Sequence, residues 1–273
     1  MVSVSPALMM QRSANSMIRF SANLSLMFRE LPLLERFAAA RDGGFQAVEI
    51  QVPYEFPAET LARAADDSGM PVILINAPMG PDRTSPGMAC RPEHREIFRA
   101  ELDRAAEYAH TLRTPCINVL AGRAAPEERA ECLQLLSEHL SLAAEVLGAA
   151  GARALLETVN PFDAPGYCVP SFELAVEVLL HSDRRVGLQF DVYHAARLGL
   201  QPDAAFAAVR DWVAHVQFAD CPGRREPGTG TLAFERIFGA IERSGYGGWV
   251  GAEYHPSGSR TADSLGWLRA RGA

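Results

Sequence analysis

Four side chains bearing oxygen donors stand where short apolar runs of the chain end: Glu157, Asp191, Gln217 and Glu253. A near-continuous apolar run is how a strand covered on both faces reads. A carboxylate at its end leaves water, so it must be paired, neutralised or bound to a metal. Three anions and an amide, without a thiolate, suit a hard or borderline divalent ion. Mg²⁺ or Mn²⁺ comes first, and Zn²⁺ stays open, particularly if a histidine joins. Any one of these acids could equally be salt-bridged to an arginine on a neighbouring loop. Four donors at successive run ends favour the ion.

Further residues crowd the same ends. His194 follows Asp191 by three and could donate to a substrate oxygen, or could orient a neighbouring carboxylate or cap a helix. His215 precedes Gln217 by two and so shares its side of a strand. The loop at 222–230, PGRREPGTG, could hold a substrate carboxylate through its backbone N–H groups and Arg224, although glycines in a turn often serve the turn alone. Glu49 and Asn118, at the ends of two earlier runs, could line the same pocket or act as structural hydrogen-bonders.

Something must bring these ends together. Eight β-like runs lie at 18–25, 45–51, 71–76, 115–120, 153–159, 185–191, 213–218 and 248–254. Between them, apolar residues recur three and four apart, as on one helix face. Phe98, Leu102, Ala105 and Ala109 show it, as do Leu133, Leu136, Leu140, Ala143 and Leu147, and Phe234, Ile237, Phe238 and Ile241. Pro126 with two following glutamates suits a helix's first turn, and Gly43, Gly69, Gly151 and Gly245 fall at helix ends. Eight strand–helix units with no linker predict a single (β/α)8 TIM barrel, whose active site lies at the C-terminal strand ends. A doubly wound sheet is the runner-up, but the Gly-rich turn after its first strand is missing. The long connections at 78–93 and 160–170 would lie at the barrel mouth as substrate covers.

Composition narrows the classes. The chain has 273 residues, 48% of them hydrophobic, and a formal net charge of −7, which fits a folded globular protein. The acidic balance argues against nucleic acid as partner, and no apolar run is long enough for a membrane span. Five scattered cysteines without a C-x-x-C pair imply reduced thiols and a cytoplasmic location. Residues 1–16 lack patterning and are expected to be a disordered leader or a misassigned start, ahead of a barrel domain at 17–273. Apolar residues on the outer helices could support a homo-oligomer.

The chain resembles the hydroxypyruvate isomerase family, a branch of the xylose isomerase-like barrels. The resemblance rests on RFSANLS at 19–25, LETVNPFDAPG at 156–166, QFDVYH at 189–194, HVQFAD at 215–220, EPGTG at 226–230 and GWVGAEY at 248–254. It implies metal ligands at Glu157, Asp191, Gln217 and Glu253, with Glu157 and Glu253 as the acid/base pair. It also implies a small keto acid or keto sugar as substrate, hydroxypyruvate going to tartronate semialdehyde through an enediolate, with 2-oxo-tetronate as the alternative. In such a reaction a carboxylate moves a proton between adjacent carbons while charge develops on two oxygens. The departures concern substrate contacts. The family's tryptophan and Glu-Arg pair are missing after the third strand, where Ser85 and Pro86 stand. Its acid after the Gly-Thr-Gly turn is Thr231, and its lysine after Glu253-Tyr254 is His255.

Two other classes stay open. A metal-dependent endonuclease would want a histidine-rich cluster in a basic groove. A non-catalytic binding protein would explain the altered loop.

Overall fold

The computed structural model describes residues 18–80 and 86–272, and the expected leader at 1–16 lies outside them. Eight parallel strands close into one barrel in chain order. They are β1 (Arg19–Asn23), β2 (Ala47–Ile50), β3 (Val72–Asn76), β4 (Cys116–Asn118), β5 (Arg153–Glu157), β6 (Gly187–Asp191), β7 (Val213–Phe218) and β8 (Trp249–Ala252). Closure is made by β1 on β8, with Ser21 opposite Gly251 and Ala22 opposite Ala252. The expected (β/α)8 barrel is the observed fold.

The helices outside are α1 (Leu33–Asp42), α2 (Ala58–Ser68), α3 (Arg95–Leu112), α4 (Arg129–Ala149), α5 (Phe172–Leu180), α6 (Val192–Arg197), α7 (Pro202–Val209), α8 (Phe234–Arg243) and α9 (Gly266–Ala270). Their apolar stripes are the core. Phe98, Leu102, Ala105 and Ala109 of α3 are buried, as are Phe234, Ile237, Phe238 and Ile241 of α8. At the closing seam Phe20, Phe218, Phe238 and Trp267 meet edge to face, with Phe218 and Trp267 centroids 5.1 Å apart. Such pairs add about 0.5–1.5 kcal/mol each beyond area burial. They pack β1 and β7 against α8 and α9, next to where β7 carries Gln217.

Two local expectations shift. Pro126 lies in a turn, and α4 starts at Arg129 instead. Gly43 ends α1 in the right-handed region, and Gly44 takes the positive φ. Every strand except β7 is also shorter than its apolar run. The run at 115–120 yields only a three-residue β4, because the chain then bends to pair Ala121 with Gly87 and Arg123 with Tyr167. Those two bridges stitch the loops after β3 and β5 onto the loop after β4.

Inside the barrel the usual apolar filling is confined to a small cluster of Ala47, Ile73, Leu74 and Leu155, with Trp249 against it. Toward the C-terminal ends the inward positions are polar. Glu49 of β2 bonds His215 of β7, so the contact crosses the barrel interior between strands that are not neighbours.

Candidate active site

Alternation puts Glu157, Asp191, Gln217 and Glu253 on the inner side of β5 to β8, within one residue of the strand ends. Glu157 and Asp191 close their strands. Asp191 also begins α6, accepting the Tyr193 backbone N–H at Oδ1 (2.7 Å), so its carboxylate is held by the turn it makes. Glu253 stands one residue beyond β8.

The three carboxylates are buried, at 6%, 1% and 4% exposure for Glu157, Asp191 and Glu253. Among the described residues the one arginine within ion-pair distance is Arg224, which pairs with Glu253 Oε2 and lies 3.8 Å from Asp191 Oδ2. Three anions against one guanidinium leave two negative charges uncompensated. Burial, then the charges of Glu253 and Asp191, lifts the Glu157 carboxyl well above the usual carboxylate range. Burial likewise raises Asp191 and Glu253, although Arg224 opposes it at both. Burial also works against the charge on Arg224, yet its three acidic neighbours hold it protonated above the ordinary arginine value.

His194 joins two of these acids, while Glu253 stands outside their group. Glu157, Asp191 and His194 each bring one donor atom within 4.8 Å of the others, so this group could hold a metal ion. Burial and Arg224 push His194 down to about 3, so the imidazole is neutral. Its tautomer follows from Asn160, whose backbone N–H (3.3 Å) and side-chain amide (2.6 Å) both face Nδ1. The Asn160 Oδ1 is already taken by the N–H groups of Phe162 and Asp163, so the amide offers N–H to the ring. The proton therefore sits on Nε2, 3.9 Å from Glu157 Oε1 and 3.7 Å from Asp191 Oδ2. Those separations are too long for hydrogen bonds. As placed, His194 is thus a donor aimed between two carboxylates.

The remaining predicted residues fall into place around these. Asn118 donates to Glu157 Oε2 at 2.7 Å, and its own buried Oδ1 has no partner. Gln217 donates to Glu253 Oε1 (3.2 Å) and Glu49 Oε2 (2.8 Å), while its Oε1 accepts from Gln189 (2.6 Å). As placed, Gln217 therefore presents its amide N–H groups, not its carbonyl, to the acids, and Gln189 Oε1 is unpartnered. Glu49 lies one inward position deeper than Gln51 and does not face the mouth. Ser21 (2.6 Å) and His215 (3.0 Å) donate to its Oε1. Gly251 makes room for it, since a Cβ there would fall 2.0 Å from that oxygen. Arg224, expected on a substrate carboxylate, here occupies Glu253 and stacks over Tyr193 at 5.0 Å.

Several residues of the site escape a reading of the sequence alone. Asn23 (2.9 Å) and Gln51 (2.8 Å) both donate to Glu253 Oε1. Their signal was present, since both lie near the ends of their runs with the inward parity of Ser21 and Glu49. Asn160, which sets the His194 tautomer, carries no such pattern. The donor set fits a divalent cation: oxygen-rich, buried, and short of two positive charges. No helix among the described residues is long and apolar enough to cross a membrane.

The chain is similar to known proteins over most of its length. A family model described as a xylose isomerase-like TIM barrel matches residues 37–271. The chain is 36% identical over 258 residues to the 2-oxo-tetronate isomerase of Cupriavidus necator, covering 93% of this chain and 98% of that one. It is 34% identical over 255 residues to the hydroxypyruvate isomerase of Escherichia coli, covering 92% and 98%. A crystal structure of an AP endonuclease, family 2, from Brucella melitensis superposes with a TM-score of 0.88 at 34% identity, covering 93% and 99%.

Proposed function

The chain belongs to the xylose isomerase-like TIM barrel family, and from that premise we propose that it is a metal-dependent isomerase of small 2-oxo acids carrying a hydroxyl next to the ketone. Hydroxypyruvate to tartronate semialdehyde is the leading pair. 2-Oxo-tetronate, one CHOH longer, is the alternative, and the relatives' names speak for both. The carrying observation is the buried trio Glu157, Asp191 and Glu253 with Arg224 as its one arginine among the described residues. Glu157, Asp191, Gln217 and Glu253 would hold the ion, Mg²⁺ or Mn²⁺ by their oxygen chemistry and Zn²⁺ only with a nitrogen ligand. When bound, a divalent cation supplies Lewis-acid polarisation of the ketone and stabilises charge developing on the enediolate oxygens.

The chain's own residues do the rest. Glu157 has one oxygen fixed by Asn118 and the other free of hydrogen bonds, which leaves that oxygen available to take the proton from carbon. Glu253 is quieter, with three amide donors on Oε1 and Arg224 on Oε2. A substrate carboxylate competes with Glu253 for Arg224, and so frees Oε2 to take the substrate's hydroxyl proton and deliver it to the former ketone carbon, while the proton held by Glu157 passes to the former ketone oxygen. His194 Nε2–H donates to the oxygen that gains charge.

The test is incubation of Mn²⁺-loaded protein with hydroxypyruvate, 2-oxo-tetronate and neutral dihydroxyacetone in D₂O. Deuterium is expected at the carbon beside the carbonyl of a keto acid. Glu157→Gln and Glu253→Gln should each slow uptake by roughly 10²–10⁴-fold, the usual share of a positioned acid or base. Undiminished exchange in either variant refutes the assignment. The endonuclease reading, raised by the name of the Brucella structure, lacks support in the site. Its metal group contains one histidine among the described residues, and the chain carries a net charge of −7.

A further inference from the structure

Beyond the strand ends, one buried acid touches none of the site residues. Asp220, two residues past β7 and 1% exposed, has no ion-pair partner among the described residues. Its carboxylate instead gathers the loop that follows. Oδ1 accepts the backbone N–H of Cys221 (2.8 Å) and Leu232 (3.1 Å), and Oδ2 those of Gly228 and Gly230 (2.8 Å each). Its own N–H reaches the Arg225 carbonyl at 2.8 Å, which folds the segment between them back on itself. Gly230 permits this closeness, since a Cβ there would sit 2.5 Å from Asp220 Oδ1 and 2.2 Å from the Cys221 carbonyl oxygen.

At the turn of that folded segment is Arg224, with φ at +51°. An L-residue keeps such a backbone only where its surroundings impose it, and such positions cluster at functional sites. The Asp220–Arg225 pairing holds it from one side, and the His255 N–H on the Arg224 carbonyl (2.9 Å) holds it from the other. The side chain is thereby aimed inward over Tyr193 onto Glu253.

We propose that Asp220 is a positioning residue: by gathering the β7–α8 loop it aims Arg224 into the mouth, and so sets the preference for a carboxylate-bearing substrate. This rests on the reading of the substrate as a 2-oxo acid. An amide at 220 would keep the volume but turn an NH₂ toward N–H groups that need an acceptor, so about half of the four bonds would be lost. The loop would loosen, and the guanidinium would no longer be held ready.

The experiment measures binding of D-glycerate, a carboxylate probe, and of neutral dihydroxyacetone to the Mn²⁺-loaded full chain by calorimetry. It compares wild type, Asp220→Asn, Arg224→Gln and the double variant. Asp220→Asn should weaken D-glycerate binding roughly ten- to hundredfold, the loss of a charge-assisted contact, and leave dihydroxyacetone unchanged. Arg224→Gln should do the same, and the double variant should be no worse than Arg224→Gln alone. For hydroxypyruvate turnover, KM should rise more than kcat falls. Gly230→Ala, which presses on the same carboxylate, should reproduce the pattern and carries the test if Asp220→Asn does not fold. Full D-glycerate affinity in Asp220→Asn, equal loss for both probes, or additive losses in the double variant would overturn the proposal while leaving the isomerase reading intact. Wild type that neither binds D-glycerate nor exchanges deuterium overturns both.

Discussion

Gly251→Ala is a one-carbon change with a calculable consequence. The added Cβ would lie 2.0 Å from Glu49 Oε1, 2.7 Å from Cδ and 2.8 Å from Oε2. No real contact is that short, and the obstacle is a buried carboxylate held on three sides. Glu49 must swing away from Ser21, His215 and Gln217, or β8 must shift and carry Glu253 with it. Hydrogen bonds to a charged group contribute about 1.5–3 kcal/mol each. Losing two of the three, with partial re-pairing, should therefore cost roughly 3–5 kcal/mol. Urea unfolding reads this as a lower midpoint at unchanged slope. The control is Glu49→Ala, in whose background Gly251→Ala has space and should cost under about 1 kcal/mol, a coupling expected only of touching residues. If Gly251→Ala costs the same in both backgrounds, Glu49 is not what the glycine accommodates.

Added Mn²⁺ should raise stability by mass action, about 2.7 kcal/mol at a hundredfold excess over Kd. Asp191→Asn should remove most of that gain in a thermal scan, and an equal gain in the variant would place the ion elsewhere. His139 offers a pH test away from the site. Burial against Phe98 lowers its pKa, although the Ala89 carbonyl on Nδ1 opposes this. The folded protein therefore binds that proton less readily than the unfolded chain. Its contribution is complete above about pH 6.5 and is lost as pH falls toward the lowered folded-state value. Unfolding midpoints at pH 7.5 and 5.5 should differ less in His139→Gln, which keeps a donor but cannot take up the proton, than in wild type.

How much of this was legible follows from which signals are local. Each β-like run contains the observed strand, because strands buried on both faces must be apolar throughout. Run ends were less certain: Leu120 is as apolar as Ile117, yet the chain bends away after Asn118 to pair with two loops distant in sequence. The acids at 157, 191 and 253 announced themselves by breaking apolar runs. Glu49 broke one too, but its depth depends on Gly251 and His215, on strands that meet it only once the barrel closes. Arg224 was visible as a cation in a glycine-rich loop. Its partners were not, because the loop's path is set by Asp220, an acid that looks like any other strand-end residue.

The stitching at Gly87–Ala121 and Arg123–Tyr167 splits the rim into separately anchored arcs. One arc binds the connections after β3, β4 and β5 into a single collar above Asn118 and Glu157. The other joins the connections after β7 and β8, where the Glu226 carboxylate accepts from the Ser257 N–H (3.0 Å). On the proposed roles, selection of the incoming molecule by Arg224 and removal of its proton by Glu157 fall to opposite arcs. An exchange of 221–233 together with 255–260 between paralogues would transplant selectivity as a cassette, without disturbing the base across the way.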